Sequence, residues 1–328
     1  MLAYFFRRCA VSVACPLLAA IAMPAAFAQS YPTKTVRFVI GFSAGGGTDI
    51  AGRILAQRLT EDLKQTFIVE NRLGASGIIG ADYVAKSPPD GYTIFIGSPT
   101  THSVVPQLMA KVPYHPLRDF AGVSELVYSP MLVVVHPSVP VKNIKDLIKL
   151  AKARPGDLTY GSGGIGATPH MAGELFKLAT GITMLHIPYK GEAPAVGDLV
   201  AGQITLVFAN LPVALPHART GRLRGIAVTS KERLKAAPDF PTVAESGVPD
   251  FEAGTWFGMF APKATPREIV AKLSADCKAA LNAKSVEDKL EELGYAVVAS
   301  DPDQFTKRME SEYAKWGNVI KLAGIKMQ

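Results

Sequence analysis

The chain has 328 residues, 48% hydrophobic and 19% charged, with a formal net charge of +7. Its lysines and arginines are scattered, and no basic stripe alternates with aromatics, which argues against a nucleic-acid surface. The six histidines show no H-x-H or H-E-x-x-H spacing and have no cysteine partner, so no metal site is expected.

The first segment reads as an export signal. MLAYFFRR carries the only charges before Lys34, an apolar run follows from Cys9 to Phe27, and Ala26-Phe27-Ala28 places small residues where a signal peptidase reads. Pro16 and Pro24 interrupt the run, which disfavours a membrane anchor, and Ser12 stands where a lipobox around Cys15 would want leucine. Cleavage after Ala28 is expected, releasing a secreted chain of net charge +5 once Arg7 and Arg8 are gone. Only Cys277 then remains, so the fold must rest on burial rather than on disulfides. A chain of this size usually divides into two domains.

Strand-length apolar runs alternate with helical patterns along the mature chain. Residues 35–42, 65–70 and 92–97 read as strands, with helices over 48–63 and 76–86 between them. The long apolar passage 124–137 leads into a second series: helix 143–153 opened by Asn143, strand 158–161, helix 167–179, strand 184–189, helix 192–201, and strands 204–209 and 224–229. Such alternation is the pattern of βαβ units around a parallel sheet. The last third departs from it. Residues 254–262 read as a strand, Thr265-Pro266-Arg267-Glu268 as a capped helix start, and Asp301-Pro302-Asp303-Gln304 as another. Cys277 falls on the buried face of the first of these helices. Phe305, Met309, Tyr313, Trp316 and Ile320 form an apolar stripe on the last, whose expected host is the first domain. The chain would therefore cross between domains twice, giving a discontinuous domain of residues 29–130 plus 252–328 and a second of 131–251.

Three strand-to-helix turns carry the chemistry. GFSAGGGTD (41–49) contains the G-x-S-x-G of a nucleophile elbow at Ser43 and is one residue short of a phosphate-binding G-x-x-x-x-G-K-[ST]. No oxyanion-hole loop precedes the first strand, and Gly47 stands where the lysine is needed. GSGGIGATPH (161–170) holds a literal G-x-G-x-x-G, but the next strand ends in Tyr189 and Lys190 without the acidic ribose anchor. With GSPTTHS (97–103), these turns share glycine, serine and threonine at helix starts, where free N–H groups and the helix dipole favour an anion. Ordinary capping is the competing explanation. The candidate ligand residues are Phe42, Ser43, Gly46, Gly47, Thr48 and Asp49 in the first turn, and Ser98, Thr101 and His102 in the second. Ser162, Gly166, Ala167 and Thr168 belong to the third, and Lys190 and Asn210 lie at further strand ends. Asp49 reads by default as a first-turn helix charge, and Lys190 as the cation that would pair with a carboxylate.

The runs FSAGGGTDIAGRILAQRL, IVENRLGASGIIGADYVAKSPPDGYT, YGSGGIGATPHMAGELFK, HIPYKGEAPAVGDLVAGQI, LPHARTGRLRGIAVTS and PTVAESGVPDFEA resemble the Bug (TctC-like) family of solute-binding proteins. The likeness covers essentially the whole mature length. It implies a two-lobed α/β periplasmic binding protein of type II-like architecture, with two crossing strands and a ligand cleft between the lobes. It also implies a monomeric, non-enzymatic receptor without cofactor that delivers a small carboxylate to the large and small membrane subunits of a tripartite tricarboxylate transporter. By the resemblance, Phe42–Asp49 is the carboxylate loop and Ser162–Thr168 the opposing one; where the family usually has proline after the phenylalanine, this chain has Ser43. A secreted serine hydrolase using Ser43 is the alternative reading.

Overall fold

The computed structural model describes residues 31–323; the expected signal peptide, its Ala28 cleavage point, Cys9 and Cys15 lie outside them. Along the chain come β1 (Val36–Ile40), α1 (Gly47–Leu63), β2 (Phe67–Asn71), α2 (Ile78–Ala85), β3 (Thr93–Gly97), a π turn over Thr100–Val104 and α3 (Val105–Leu108). β1 pairs in parallel with both β2 and β3. Val36, Phe38, Val39 and Ile40 are all fully buried, the near-continuous apolar run of a strand covered on both faces. α1 lays Ala51, Leu55, Ala56 and Leu59 on the sheet and stops at Lys64, whose left-handed φ of 54° ends the helix.

Next come β4 (Phe120–Val135), α4 (Ile144–Ala153), β5 (Thr159–Ser162), α5 (Thr168–Thr180), β6 (Leu185–Pro188) and α6 (Glu192–Val200). They are followed by β7 (Leu206–Asn210), α7 (Leu211–Arg219), β8 (Arg224–Val228) and β9 (Gly254–Pro262). The expected start of α4 holds: the Asn143 side chain accepts from the Asp146 amide at 2.9 Å. β5 pairs in parallel with β6 and β7, as a second βαβ series should.

The 16-residue β4 joins the two sets. Its first part runs antiparallel to β9, from Phe120↔Pro262 to Pro130↔Gly254. From Met131 onward it pairs instead with β7 and β8. Pro130, with no N–H to give a ladder, sits at the changeover. There the Thr229 hydroxyl accepts from the Met131 amide at 2.8 Å and donates to the Ala253 carbonyl at 2.7 Å, tying the outgoing and returning segments together. The path β2-β1-β3-β9-β4-β7-β5-β6 thus holds two parallel sets hinged on antiparallel crossing strands. Past the changeover β4 alternates faces. Val133 and Val135 pack with Phe176 and Phe208 on one side, while Leu132 and Val134 pack with Leu199 and Val207 on the other.

The last third contains α8 (Arg267–Leu281), α9 (Lys284–Glu292), β10 (Ala296–Val297) and α10 (Pro302–Ala323). α8 starts one residue later than its capping motif implies. Pro266 is the N-cap with ψ 139°, and the buried Thr265 hydroxyl has no hydrogen-bond partner among the described residues. Proline's fixed φ suits both N-cap and first helical position, and only ψ separates them. At α10 the reading holds: Gln304 Oε1 accepts from the Asp301 amide at 3.2 Å. Phe305 and Met309 join Val39, Phe95, Trp256 and Phe260 in the core beside β1 and β3, the expected host. Trp316 meets Val104 and Met171, so the far end of the same stripe also touches α5. Cys277 is fully buried with its Sγ 3.6 Å from Met259 Sδ, and burial pushes the thiol up: it is a core residue.

Candidate ligand cleft

β1, β3, β5 and β7 all end on the same cleft. In the turn after β1, Gly41 lets the backbone press on the next loop, where a Cβ would come 2.5 Å from Gly77 Cα. The N-caps of α1 and α5, Gly46 and Ala167, carry no side-chain cap. Ordinary capping therefore does not account for the serines and threonines of these two turns. Asp49 faces inward to the loop: it accepts from the Gly45 amide, from Arg53 and from Asn71 Nδ2, all within 2.8–3.0 Å. Burial alone would raise its carboxyl, but these bonds together hold it below the usual carboxylate range. Asp49 shapes the turn.

The turn after β5 is held from below. Ser162 Oγ lies 2.6 Å from His186 Nε2 and accepts from the Gly164 amide at 3.2 Å. The Gly166 amide donates to His170 Nδ1 at 3.1 Å. Burial takes His170 down to about 4 and His186 to about 3, so both are neutral acceptors or donors rather than cations.

The two sides touch at several places. Ser76 Oγ donates to the Ile165 carbonyl at 2.8 Å, and the Thr168 amide donates to Thr100 Oγ1 at 3.1 Å. Gly191, at φ 146°, lies against Ser43, where a Cβ would come 2.0 Å from Oγ. Ser43 Oγ is buried there without a hydrogen-bond partner among the described residues, so no general base activates it.

Two neighbouring cavities lie between these turns. The outer, of about 250 Å³, is bounded by Gly41, Phe42, Gly74–Gly77, Gly163–Ile165 and the Pro188-Tyr189-Lys190 strand end. Lys190 is its exposed cation. The inner, of about 30 Å³, shares Phe42 and Gly163 with it and is walled by Gly46, Gly47, Thr48, Ser98, Ala167, Asn210 and Phe257 among others. A larger hollow of about 480 Å³ lies against α10. Its cations Arg308 and Lys315 each stand 3.7 Å from Glu312, and no glycine-rich strand end opens into it.

Glu192, on the inner wall, was not singled out in the sequence. At the first position of α6 it reads as an ordinary helix-start carboxylate. In the fold it is 6% exposed. Its Oε2 accepts from Asn210 Nδ2 at 2.8 Å and from the Gly47 amide at 3.4 Å, and its Oε1 from the Asn210 amide. The α1 amide turn expected to await an anion thus already has a carboxylate of the chain before it. No local signal pointed to this: Gly47 and Glu192 are 145 residues apart.

Of the predicted residues, Phe42, Gly46, Gly47, Thr48, Ser98, Ala167, Lys190 and Asn210 line one or both cavities. Ser162, Gly166 and Thr168 shape the third turn, after β5, from behind. Thr101 and His102 lie away from the cavities, in the aromatic core. His102 is fully buried, stacked on Phe260 with ring centres 3.7 Å apart, and its Nδ1 is 2.9 Å from Thr101 Oγ1. Burial lowers it to about 3. Phe208 is core, whereas Phe257 reaches the inner cavity.

Parallel strand ends opening on a cleft that two hinged lobes close over describe a periplasmic solute-binding protein. The chain belongs to the tripartite tricarboxylate transporter receptor family, TctC, whose sequence profile matches residues 51–325. It is 37% identical over 311 residues to the protein BugT of Bordetella pertussis, covering 94% of this chain and 95% of that one. The solved structure of R. palustris Rpa4515 with adipate superposes with a TM-score of 0.88 at 40% identity, over 90% of this chain and 99% of the other. MatC from Rhodopseudomonas palustris with bound malate gives 0.84 at 31%, over 88% and 100%. The family consists of solute-binding proteins, so the chain is a receptor and not an enzyme. Among the described residues no helix is long and apolar enough to cross a membrane.

Proposed function

We propose that this receptor captures a small organic acid in the periplasm and delivers it to the membrane subunits of a tripartite tricarboxylate transporter. The observation that carries the reading is the outer cavity, where glycine-rich turns from both sides of the cleft converge with Lys190, the one cation among the described residues that line it. Backbone amides and one lysine suit a carboxylate. The adipate and malate of the two neighbours support the same class of ligand. In this reading the lobes comprise 29–130 with 252–328 and 131–251, and export removes residues 1–28. Closure is a population shift: ligand contacts made by both lobes favour the closed form, while contacts made by one alone do not.

The test is calorimetric titration of the purified mature chain with mono- and dicarboxylates, beside a Lys190→Met variant. The variant should bind the preferred acid about tenfold or more weakly, the loss of one charge-assisted bond. Undiminished affinity would remove Lys190 from the site.

A further inference from the structure

The inner cavity is furnished differently from the outer one. Glu192 is the one charged side chain among the described residues that line it. Beside it, Asn210 is 4% exposed and Thr255 2% exposed, and Asn210 Oδ1 and Thr255 Oγ1 have no hydrogen-bond partner among the described residues. The Gly47 amide at the start of α1, which would otherwise face a ligand anion, donates to the Glu192 carboxylate at 3.4 Å. What its side chains offer a ligand is therefore a carboxylate, an amide oxygen and the hydroxyls of Thr48, Ser98 and Thr255, the first two acceptors only. At about 30 Å³ the space takes about one or two heavy atoms, an ammonium or the end of an amide. Because the two cavities share Phe42 and Gly163, a linear molecule lying past these residues would have one end in each.

Resting on the organic-acid reading above, we propose that Glu192 stands in for one ligand carboxylate and makes the inner end of the cleft a seat for a hydrogen-bond donor. The receptor then selects acids whose far end is an amide or ammonium group, with the carboxylate held outside by Lys190 and the glycine turns. A dicarboxylate is disfavoured because its second carboxylate meets the buried Glu192, and like charges brought together there cost binding. An amide or ammonium donates to Glu192 and to Asn210 Oδ1 and leaves no buried acceptor idle.

The experiment compares three probes of equal length, glutarate, its monoamide and the matching ω-amino acid, by calorimetric titration at about pH 8. The wild type should bind the monoamide or the amino acid about tenfold or more tighter than glutarate. In Glu192→Gln, whose melting temperature checks its folding, the preference should shrink or reverse in favour of glutarate. Equal or tighter binding of glutarate by the wild type overturns the inference while leaving the organic-acid reading intact. A preference that the variant keeps unchanged overturns it too. If none of the three binds and neutral solutes do, the organic-acid reading itself fails and takes this inference with it. The wild-type ranking decides even where the variant does not fold.

Discussion

Gly191 and Ser43 meet across the cleft so closely that a Cβ on Gly191 would lie 2.0 Å from Ser43 Oγ and 2.8 Å from the Ser43 amide nitrogen. Contact at the second atom cannot be relieved by a rotamer change, because it is backbone. Gly191→Ala should therefore hold the lobes apart, also straining a residue at φ 146°. Ligand affinity is expected to fall about a hundredfold, with a larger radius of gyration by X-ray scattering in the presence of ligand. Adding Ser43→Gly should restore only part of the loss. Full closure of the single variant would contradict this account of the contact.

Ser76 supplies a milder link. Its hydroxyl is bonded to the Ile165 carbonyl at 2.8 Å, and a hydrogen bond of this kind contributes about 1 kcal/mol net. Because the bond bridges the two sides of the cleft, Ser76→Ala should weaken ligand binding roughly fivefold. Faster ligand release in stopped-flow measurements is the expected signature. A change in melting temperature without ligand, with affinity untouched, would assign Ser76 to folding instead.

Glu192 gives the stability a defined pH dependence. Burial pushes its carboxyl up to about 7 from 4.5, against the lowering effect of bonds from Asn210 and Gly47. A folded pKa above the unfolded one means that its contribution is complete below about pH 4.5 and is lost as pH rises to about 7. The full loss is on the order of 3 kcal/mol. His102, His170 and His186 act oppositely, since their lowered values make stability fall as pH drops below the usual histidine range. Wild type and Glu192→Gln must therefore be compared at each pH by urea unfolding. The variant should gain on the wild type between about pH 5 and pH 8, and a constant difference would show that Glu192 stays ionised throughout.

Much of the scaffold was legible because its signals are local. Val36–Ile40, the Asn143 cap and the Phe305-Met309-Trp316 stripe each state their structure within one element. α7 was missed because Pro212 and Pro216 interrupt its pattern, yet its first turn tolerates one proline and its exposed side accommodates the other. The site divides in the same way. The glycine-rich turns, Lys190 and Asn210 could be placed by their position at strand ends. His102 could not, because its neighbours Phe95, Phe120 and Phe260 come from three different strands. Asp49 was legible as a helix-start charge, but its bond to Asn71 on the neighbouring strand, which fixes its inward direction, was not. Glu192 depended on a relation across 145 residues, the meeting of α6 with the start of α1.

The most direct test of the whole account is a thermal-shift screen of the purified mature chain against carboxylic acids, amino acids and neutral solutes such as sugars. Stabilisation should follow affinity, about 2.7 kcal/mol at a hundredfold excess over the dissociation constant. The melting temperature should rise with at least one small acid, and Lys190→Met should remove about half of the rise or more. A chain stabilised by neutral solutes and by no acid would contradict the account.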